Sequence, residues 1–477
     1  MTGHAYVPPE GSIPTLDVPT LDGVSRVHLI GAGGAGMRNL ARLFLARGIA
    51  VGGSDLKDSK GVRELRELGA AIAVGHDAAN LADPDAVVIS SAIAGSNPEL
   101  RAARDAGVPV WRRQQAVAAL AAGRRAVAIA GTHGKTTTTS LVAIALEHAG
   151  LDPTYLVGGD LNESGSGARH GDGQLFVFEA DESDGSFLLV PASIGVITNI
   201  EMDHVEFYPG GLDEIVAAFA AFASRCDQVV ACGDDDDVRA ALAGAGADAI
   251  TYGVGADNDV VVTTGELGPD GARGRVRVDG RDIELVLAVD GPHNLLNAAA
   301  AIAVARACGV APEAAATALR SFSGVRRRFE LRGRARGADF YDDYGHTPTE
   351  MRVTIDTARR RGPERVIAVV QPHRYPRVQA LWRELGASVT GADVVVVTDV
   401  YGAAQEPIPG VTGKLVVDGV QLSAPGRRTV YLPHRRDVVS FLDREVRAGD
   451  VVVTMGCGDV WMVADAALER ITGSDGG

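Results

Sequence analysis

The sequence predicts an α/β chain in which parallel sheets are flanked by helices, laid out as three consecutive blocks. Three observations predict it. Short apolar runs alternate with Ala- and Leu-rich helical stretches along nearly the whole chain. A glycine-rich turn twice follows such a run and opens a helix, at 31–36 and at 131–134. Acidic and polar residues gather just past several apolar runs, where open parallel sheets bind ligands.

The 477 residues, 46% of them hydrophobic, give ample core for about two to four domains. No apolar run is long enough to span a membrane, so membrane insertion is not expected and the cytoplasm is the expected location. The first 20 residues carry Pro8, Pro9, Pro14 and Pro19 without a charged, apolar leader, and read as a loose arm. A net charge of −15 argues against a nucleic-acid surface and leaves anionic ligands to local sites. Cys226, Cys232, Cys308 and Cys457 show neither paired metal spacing nor a disulfide framework. They are expected as small core residues, supporting neither zinc nor redox chemistry.

The first block runs from the strand Arg26-Val27-His28-Leu29-Ile30 to about Trp111. Gly31-Ala32-Gly33-Gly34-Ala35-Gly36 follows that strand and opens a helix at Met37, and Asp55 ends the next strand near the distance of a ribose-binding acid. Such a turn cradles any pyrophosphate, so on its own it fits a nicotinamide dinucleotide or a nucleotide sugar equally well.

The second block opens on Ala126-Val127-Ala128-Ile129, followed by Gly131-Thr132-His133-Gly134-Lys135-Thr136-Thr137. This reads as a phosphate loop: backbone N–H groups and a helix N-terminus close on phosphate oxygens, and Thr136 is placed to reach magnesium. Lys135 is one of only four lysines in an arginine-rich chain, and a compact ammonium suits a tight phosphate loop better than a guanidinium fork. The loop departs from the strict G-x-x-x-x-G-K-[ST] spacing, because Ile129 stands where the first glycine belongs. A plain helix cap is the alternative reading of the threonine run.

Two strand ends are expected to converge on this loop. Glu179-Ala180-Asp181-Glu182-Ser183-Asp184 follows Leu175-Phe176-Val177-Phe178, and Thr198-Asn199-Ile200-Glu201-Met202-Asp203-His204 follows the run from Ile194 to Ile197. Magnesium is held by few protein groups plus phosphate oxygens, so Thr136, Glu179 and His204 are the candidate ligands.

The third block begins after Gly324-Val325-Arg326-Arg327-Arg328-Phe329 and sets polar runs at successive strand ends: Tyr341-Asp342-Asp343-Tyr344, Gln371-Pro372-His373-Arg374, Asp399-Val400-Tyr401 and Gly456-Cys457-Gly458-Asp459.

Taken in order, these motifs resemble the Mur ligases of bacterial cell-wall synthesis, and most closely the branch that adds the first amino acid. The resemblance runs from Val24 onward. It includes Gly31 to Met37, Ser90-Ser91-Ala92-Ile93, Gly131 to Thr136, Glu179 to Ser183, Thr198 to Glu201 with Asp203-His204, His293-Asn294 with Asn297, Arg327 to Glu330, Asp342 to His346 with Pro348-Thr349-Glu350, and Gln371 to Tyr375.

The resemblance implies a Rossmann-like UDP-binding domain over 21–115, a central P-loop ATPase domain with a mostly parallel sheet over 116–325, and a Rossmann-like, amino-acid-binding domain over 326–477. It implies joining of L-alanine to the carboxylate of UDP-N-acetylmuramate with ATP and Mg2+, through an acyl phosphate, by a monomer or homodimer. Gly31, Gly33, Gly34, Gly36, Met37, Asp55, Ser90 and Ser91 would line the UDP-sugar site. Gly131, Thr132, His133, Gly134, Lys135, Thr136, Thr137, His293, Asn294, Asn297, Arg328 and Asp343 would hold ATP. Tyr344, His346, His373, Arg374 and Arg377 would take the substrate and amino acid, with Lys135, Glu179, His204 and Arg374 as the catalytic set.

Two departures are visible. Close relatives often pair histidines where this chain reads Gly345-His346-Thr347, and no lysine lies between Thr136 and Gly413 that could be carbamylated to hold a second ion. Glu201 or Glu182 with His204 is expected to support that ion instead. A murein-tripeptide ligase is the nearest alternative. A nicotinamide-dependent dehydrogenase accounts for the first glycine turn and Asp55, but for neither the phosphate loop nor the acidic strand ends.

Overall fold

A computed structural model of the chain describes residues 18–475 apart from 91, 184, 205, 206 and 404. Most of the expected N-terminal arm, Ser91 and Asp184 therefore lie outside the described residues.

Three sheets follow one another along the chain, and the α/β class with mostly parallel strands is as expected. The first has five parallel strands in the order Ala71–Val74, Ala50–Asp55, Arg26–Ile30, Ala86–Ile89, Val110–Arg112. The order reverses beside Arg26–Ile30, so the glycine turn leaves the sheet where doubly wound folds open their ligand crevice.

The second sheet has ten strands. Its parallel centre places Arg125–Ala130 between Ile194–Ile197 and Leu175–Glu179. Val127, Ala128, Ile129 and Ala130 are fully buried, as a parallel strand covered on both faces requires. An antiparallel hairpin, Gly271–Val278 with Arg281–Leu287, closes one edge. The helix Pro292–Ala307 packs against the helix Lys135–His148 that follows the phosphate loop. It is buried all round from Ala298 to Ala305, which explains a sequence with no polar face.

The third sheet orders Glu330–Ala335, Ala338–Asp343, Asp450–Met455, Arg365–Val370, Val394–Val397, Arg428–Tyr431, with only the first pair antiparallel.

The chain divides into two compact units, the second being Gly324 onward together with the short segments Leu267–Gly271 and Val289–Gly291. The first unit contains the first two sheets, tied together by Arg38 to Asp160 at 2.6 Å, Asn39 to the Val157 carbonyl at 3.1 Å and Arg42 to Ser166 at 2.8 Å. The second contains the third sheet, with valine-rich cores on both faces. Among the described residues, no helix is long and apolar enough to cross a membrane.

Candidate functional site

The phosphate loop is shaped by contacts that only glycine permits. Gly131 has φ +131° and a side chain there would collide with Thr198 Oγ1. Gly134 has φ +81° and a Cβ would lie 2.8 Å from Asn297 Oδ1. Asn297 also accepts from Thr138 at 3.3 Å, which brings it, from the first turns of its helix, against the loop; His293 and Asn294 precede it on the same helix end.

The register of the central sheet then sets the chemistry. Ile129 pairs with Glu179 and Ala130 with Ile197, so the acidic strand end and the Thr198–His204 segment flank the loop on either side. Thr198 Oγ1 donates to the His133 carbonyl at 2.6 Å, and Asn199 accepts from the His133 N–H at 2.8 Å. The Thr132 hydroxyl accepts from the Glu201 N–H at 2.9 Å. Thr198 and Asn199 thus clamp the loop, a role that their place in the motif did not reveal.

Lys135 Nζ lies 2.9 and 2.8 Å from the two oxygens of Glu182 and 2.5 Å from the Gly131 carbonyl. Burial works against its charge, but Glu182 and Asp181 outweigh it and raise the ammonium above its ordinary value. Burial likewise opposes the Asp181 carboxylate, which Arg113, Lys135 and His204 nonetheless hold far below the usual carboxylate range. Arg113, absent from the sequence-based assignments, reaches Asp181 at 2.8 Å and also passes over Gly36, where a Cβ would meet its Nη1 at 2.6 Å. It links the first glycine turn to the acidic strand end.

Glu179 Oε1 accepts from the Gly158 N–H at 2.6 Å. His204 adopts φ +51°, an uncommon conformation for a side-chain-bearing residue, and its Nε2 stands 3.5 Å from Asp203 and 3.9 Å from Glu182. Its Nδ1 is buried without a hydrogen-bond partner among the described residues. An imidazole with one nitrogen orphaned and the other beside the Asp203 and Glu182 carboxylates, next to a loop whose following helix carries Thr136 in its first turn, is a donor set that fits a divalent cation completed by phosphate oxygens. Glu182 faces Lys135, and Glu201 pairs with His133 at 3.2 Å, so both carboxylates considered for a second ion already have cationic or imidazole neighbours.

The first glycine turn is organised by Asp55, whose carboxylate accepts from the Gly33 N–H at 2.9 Å and the Lys57 N–H at 3.1 Å. Gly31 has φ +78°, and its N–H and that of Ala32 donate to the Ser54 carbonyl at 2.8 and 2.9 Å. Gly34 caps the helix Ala35–Ala46. The Met37 side chain is in the core, leaving only its backbone toward the turn. Ser90 directly follows the strand Ala86–Ile89.

In the second unit, Arg374 has φ +62° at the start of the helix Tyr375–Ser388, with its N–H donating to the Tyr401 carbonyl at 2.9 Å. Arg377 is buried, and its Nη1 lies 3.0 Å from His373 Nδ1. His346 and His373 meet edge to face with ring centres 5.5 Å apart. The guanidinium groups of Arg327 and Arg328 lie 4.9 and 5.2 Å from the Tyr344 ring centre, and Arg327 also binds the buried Asp342 at 3.0 Å. Asp343 is buried and accepts from the Phe329 and Gly345 N–H groups at 2.8 and 2.7 Å. Of the four cysteines expected in the core, Cys232 is buried, whereas Cys226, Cys308 and Cys457 are only partly buried, Cys457 beside His346 and His373.

Comparison with known proteins gives the following. The chain matches the models for the Mur ligase family catalytic domain over residues 26–125, the Mur ligase middle domain over 129–305 and the Mur ligase glutamate ligase domain over 327–458. It is 44% identical to the UDP-N-acetylmuramate–L-alanine ligase of Paenarthrobacter aurescens over 96% of this chain and 100% of that one. It is 47% identical to the corresponding protein of Kineococcus radiotolerans over 94% and 98%. Among solved structures, UDP-N-acetylmuramate-alanine ligase MurC of Thermotoga maritima aligns with a TM-score of 0.80 at 30% identity, covering 94% of this chain and 99% of that one. A murein peptide ligase of Psychrobacter arcticus aligns with a TM-score of 0.74 at 25% identity over 94% and 98%.

Proposed function

The chain belongs to the Mur ligase family, and from that premise we propose that it joins L-alanine to the carboxylate of UDP-N-acetylmuramate in peptidoglycan synthesis, converting ATP to ADP and phosphate. The observation that carries this reading is the register of the central sheet, which sets Glu179 and the Thr198–His204 segment on either side of the Lys135 loop.

A carboxylate is a poor electrophile because neither oxygen is a leaving group. The muramyl carboxylate oxygen attacks the γ-phosphorus of ATP and ADP departs, leaving an acyl phosphate. The amine of L-alanine adds to that carbonyl, and the tetrahedral intermediate expels phosphate as the amide forms. The work of the protein is positioning and neutralising phosphate charge.

Lys135 is the compact cation for the transferred phosphoryl group, and leaves Glu182 to reach it. Gly131, Thr132, His133, Gly134 and Thr137 offer the loop backbone, and His293, Asn294 and Asn297 the base-side contacts, with Arg328 and Asp343 as further nucleotide-binding residues. Mg2+, ligated by Thr136, Glu179 and His204, would supply Lewis-acid neutralisation of the phosphates when bound. The glycine turn with Asp55 and the 90–91 segment holds UDP. Asp55 acts there by fixing the Gly33 N–H. Arg374 and Arg377 take the carboxylate of L-alanine as bidentate donors, beside Tyr344, His346 and His373. We further propose the domain limits 21–115, 116–325 and 326–477, a cytoplasmic location and a monomeric or homodimeric state.

The route is tested by carrying 18O in the muramyl carboxylate. An acyl phosphate delivers one labelled oxygen to the released phosphate. Phosphate free of label, with all of it retained in the product and residual substrate, would overturn this mechanism.

A further inference from the structure

We propose that His346, His373 and Cys457 form a binding site for a thiophilic divalent cation of the zinc class, and that a cation held there excludes the amino acid. This goes beyond the ligase reading, which uses the two histidines but gives the thiol no role.

The three residues come from three different segments that follow parallel strands of the third sheet: Ala338–Asp343, Arg365–Val370 and Asp450–Met455. These strands are adjacent in the sheet, so their ends converge although the residues are far apart in the chain. One ligand atom of each lies within 4.8 Å of the other two, and all three side chains are only partly buried, which leaves an approach for an ion. Zinc bonds of about 2.0–2.1 Å to nitrogen and 2.3 Å to sulfur place tetrahedral donors about 3.5 Å apart, so side-chain rotation suffices to close this set. Two imidazoles and a thiolate match the borderline-soft preference of zinc and do not suit magnesium, which selects oxygen.

The surroundings resemble those of built metal sites. His346 Nδ1 lies 3.1 Å from the Tyr344 carbonyl. A carbonyl only accepts, so Nδ1 carries the hydrogen and Nε2 the lone pair, the arrangement that orients metal-binding histidines. The His346 ring meets Tyr344 edge to face at 5.7 Å, and the His373 ring stacks on Tyr401 at 5.9 Å, which limits the freedom of both. Glu350, 3.4 Å from His346 Nδ1, adds negative charge.

Arg377 gives the site its consequence. A guanidinium only donates, so its Nη1, 3.0 Å from His373 Nδ1, uses that lone pair. A cation on Nδ1 takes the place of the guanidinium, while one on Nε2 needs the proton that the contact keeps there. The cation and the Arg377 contact therefore oppose each other. Binding displaces the residue assigned to the L-alanine carboxylate, and one proton leaves as the Cys457 thiol becomes a coordinated thiolate.

The test uses full-length protein and two readouts. Titration with cobalt(II) should give a thiolate-to-cobalt charge-transfer band at one equivalent, and zinc should abolish it. Cys457→Ala should lose the band and bind zinc at least about tenfold more weakly, and His373→Ala, which keeps the thiol, should weaken the band in the same way. In the ligase assay, zinc should raise the KM for L-alanine in the wild type and do so far less in Cys457→Ala, whose metal-free activity is unchanged. A wild type without the band, or a Cys457→Ala variant that keeps it, overturns the site. Zinc inhibition equal in both proteins overturns its link to the amino acid. The cobalt readout needs no turnover, so it stands or falls apart from the ligase assignment.

Discussion

Replacing Lys135 by methionine separates the structural from the chemical role of this residue. Its ammonium is the direct counterion of Glu182, with contacts of 2.9 and 2.8 Å and side-chain exposures of only 16% and 4%. Removing one partner of a desolvated pair leaves an uncompensated buried charge and costs about 3–5 kcal/mol. Lys135→Met should therefore lower the unfolding free energy of the first unit by that amount, measured by urea denaturation near neutral pH. Without its counterion, Glu182 takes up a proton more readily, so the loss should shrink as the pH is lowered. Adding Glu182→Gln removes the stranded charge and should recover more than half of the stability, while phosphate release stays abolished in both variants. Lys135→Met unfolding at the wild-type urea concentration, or a double variant no more stable than Lys135→Met, would refute the pairing.

Glu99 offers a pH-dependent counterpart. Its burial opposes ionisation, but hydrogen bonds from His28, Ser54 and Asn80 hold its carboxyl at about 2 rather than 4.5, a difference of ~3 kcal/mol. That stability is complete above pH 4.5 and disappears as the pH falls through about 2, so Glu99→Gln should be ~3 kcal/mol less stable at pH 7 with the gap narrowing in acid, followed by urea unfolding. Gly134→Ala, at φ +81° and against Asn297 Oδ1, should weaken ATP binding about tenfold or more by calorimetry and leave binding of UDP-N-acetylmuramate unchanged. Arg374→Lys and Arg377→Lys should each raise the KM for L-alanine about tenfold or more through the lost bidentate geometry, with the KM for ATP unmoved.

What was legible in the sequence was local. A glycine turn between an apolar run and a helix reveals itself within ten residues, because positive φ and close backbone approach admit glycine alone, as Gly131 and Gly134 show. The alternation of runs gave the α/β class, and acids just past them gave the two segments beside the phosphate loop. Contacts across the fold were not legible. Nothing in the neighbourhood of Arg113 points to Asp181, and nothing near Thr198 or Asn199 announces the clamp on His133. The loop motif marks Lys135 as a phosphate ligand, but its pairing with Glu182 depends on sheet register. Cys457 is the sharpest case: spacing along the chain shows no metal pattern, because its companions His346 and His373 arrive from neighbouring strand ends.

The assignment as a ligase for L-alanine is tested most directly by phosphate release from ATP and Mg2+ with UDP-N-acetylmuramate, comparing L-alanine, the murein tripeptide and no acceptor. Release that requires L-alanine, with matching formation of UDP-N-acetylmuramoyl-L-alanine, is the predicted result. Release that requires the tripeptide, or none with any acceptor, would contradict the assignment.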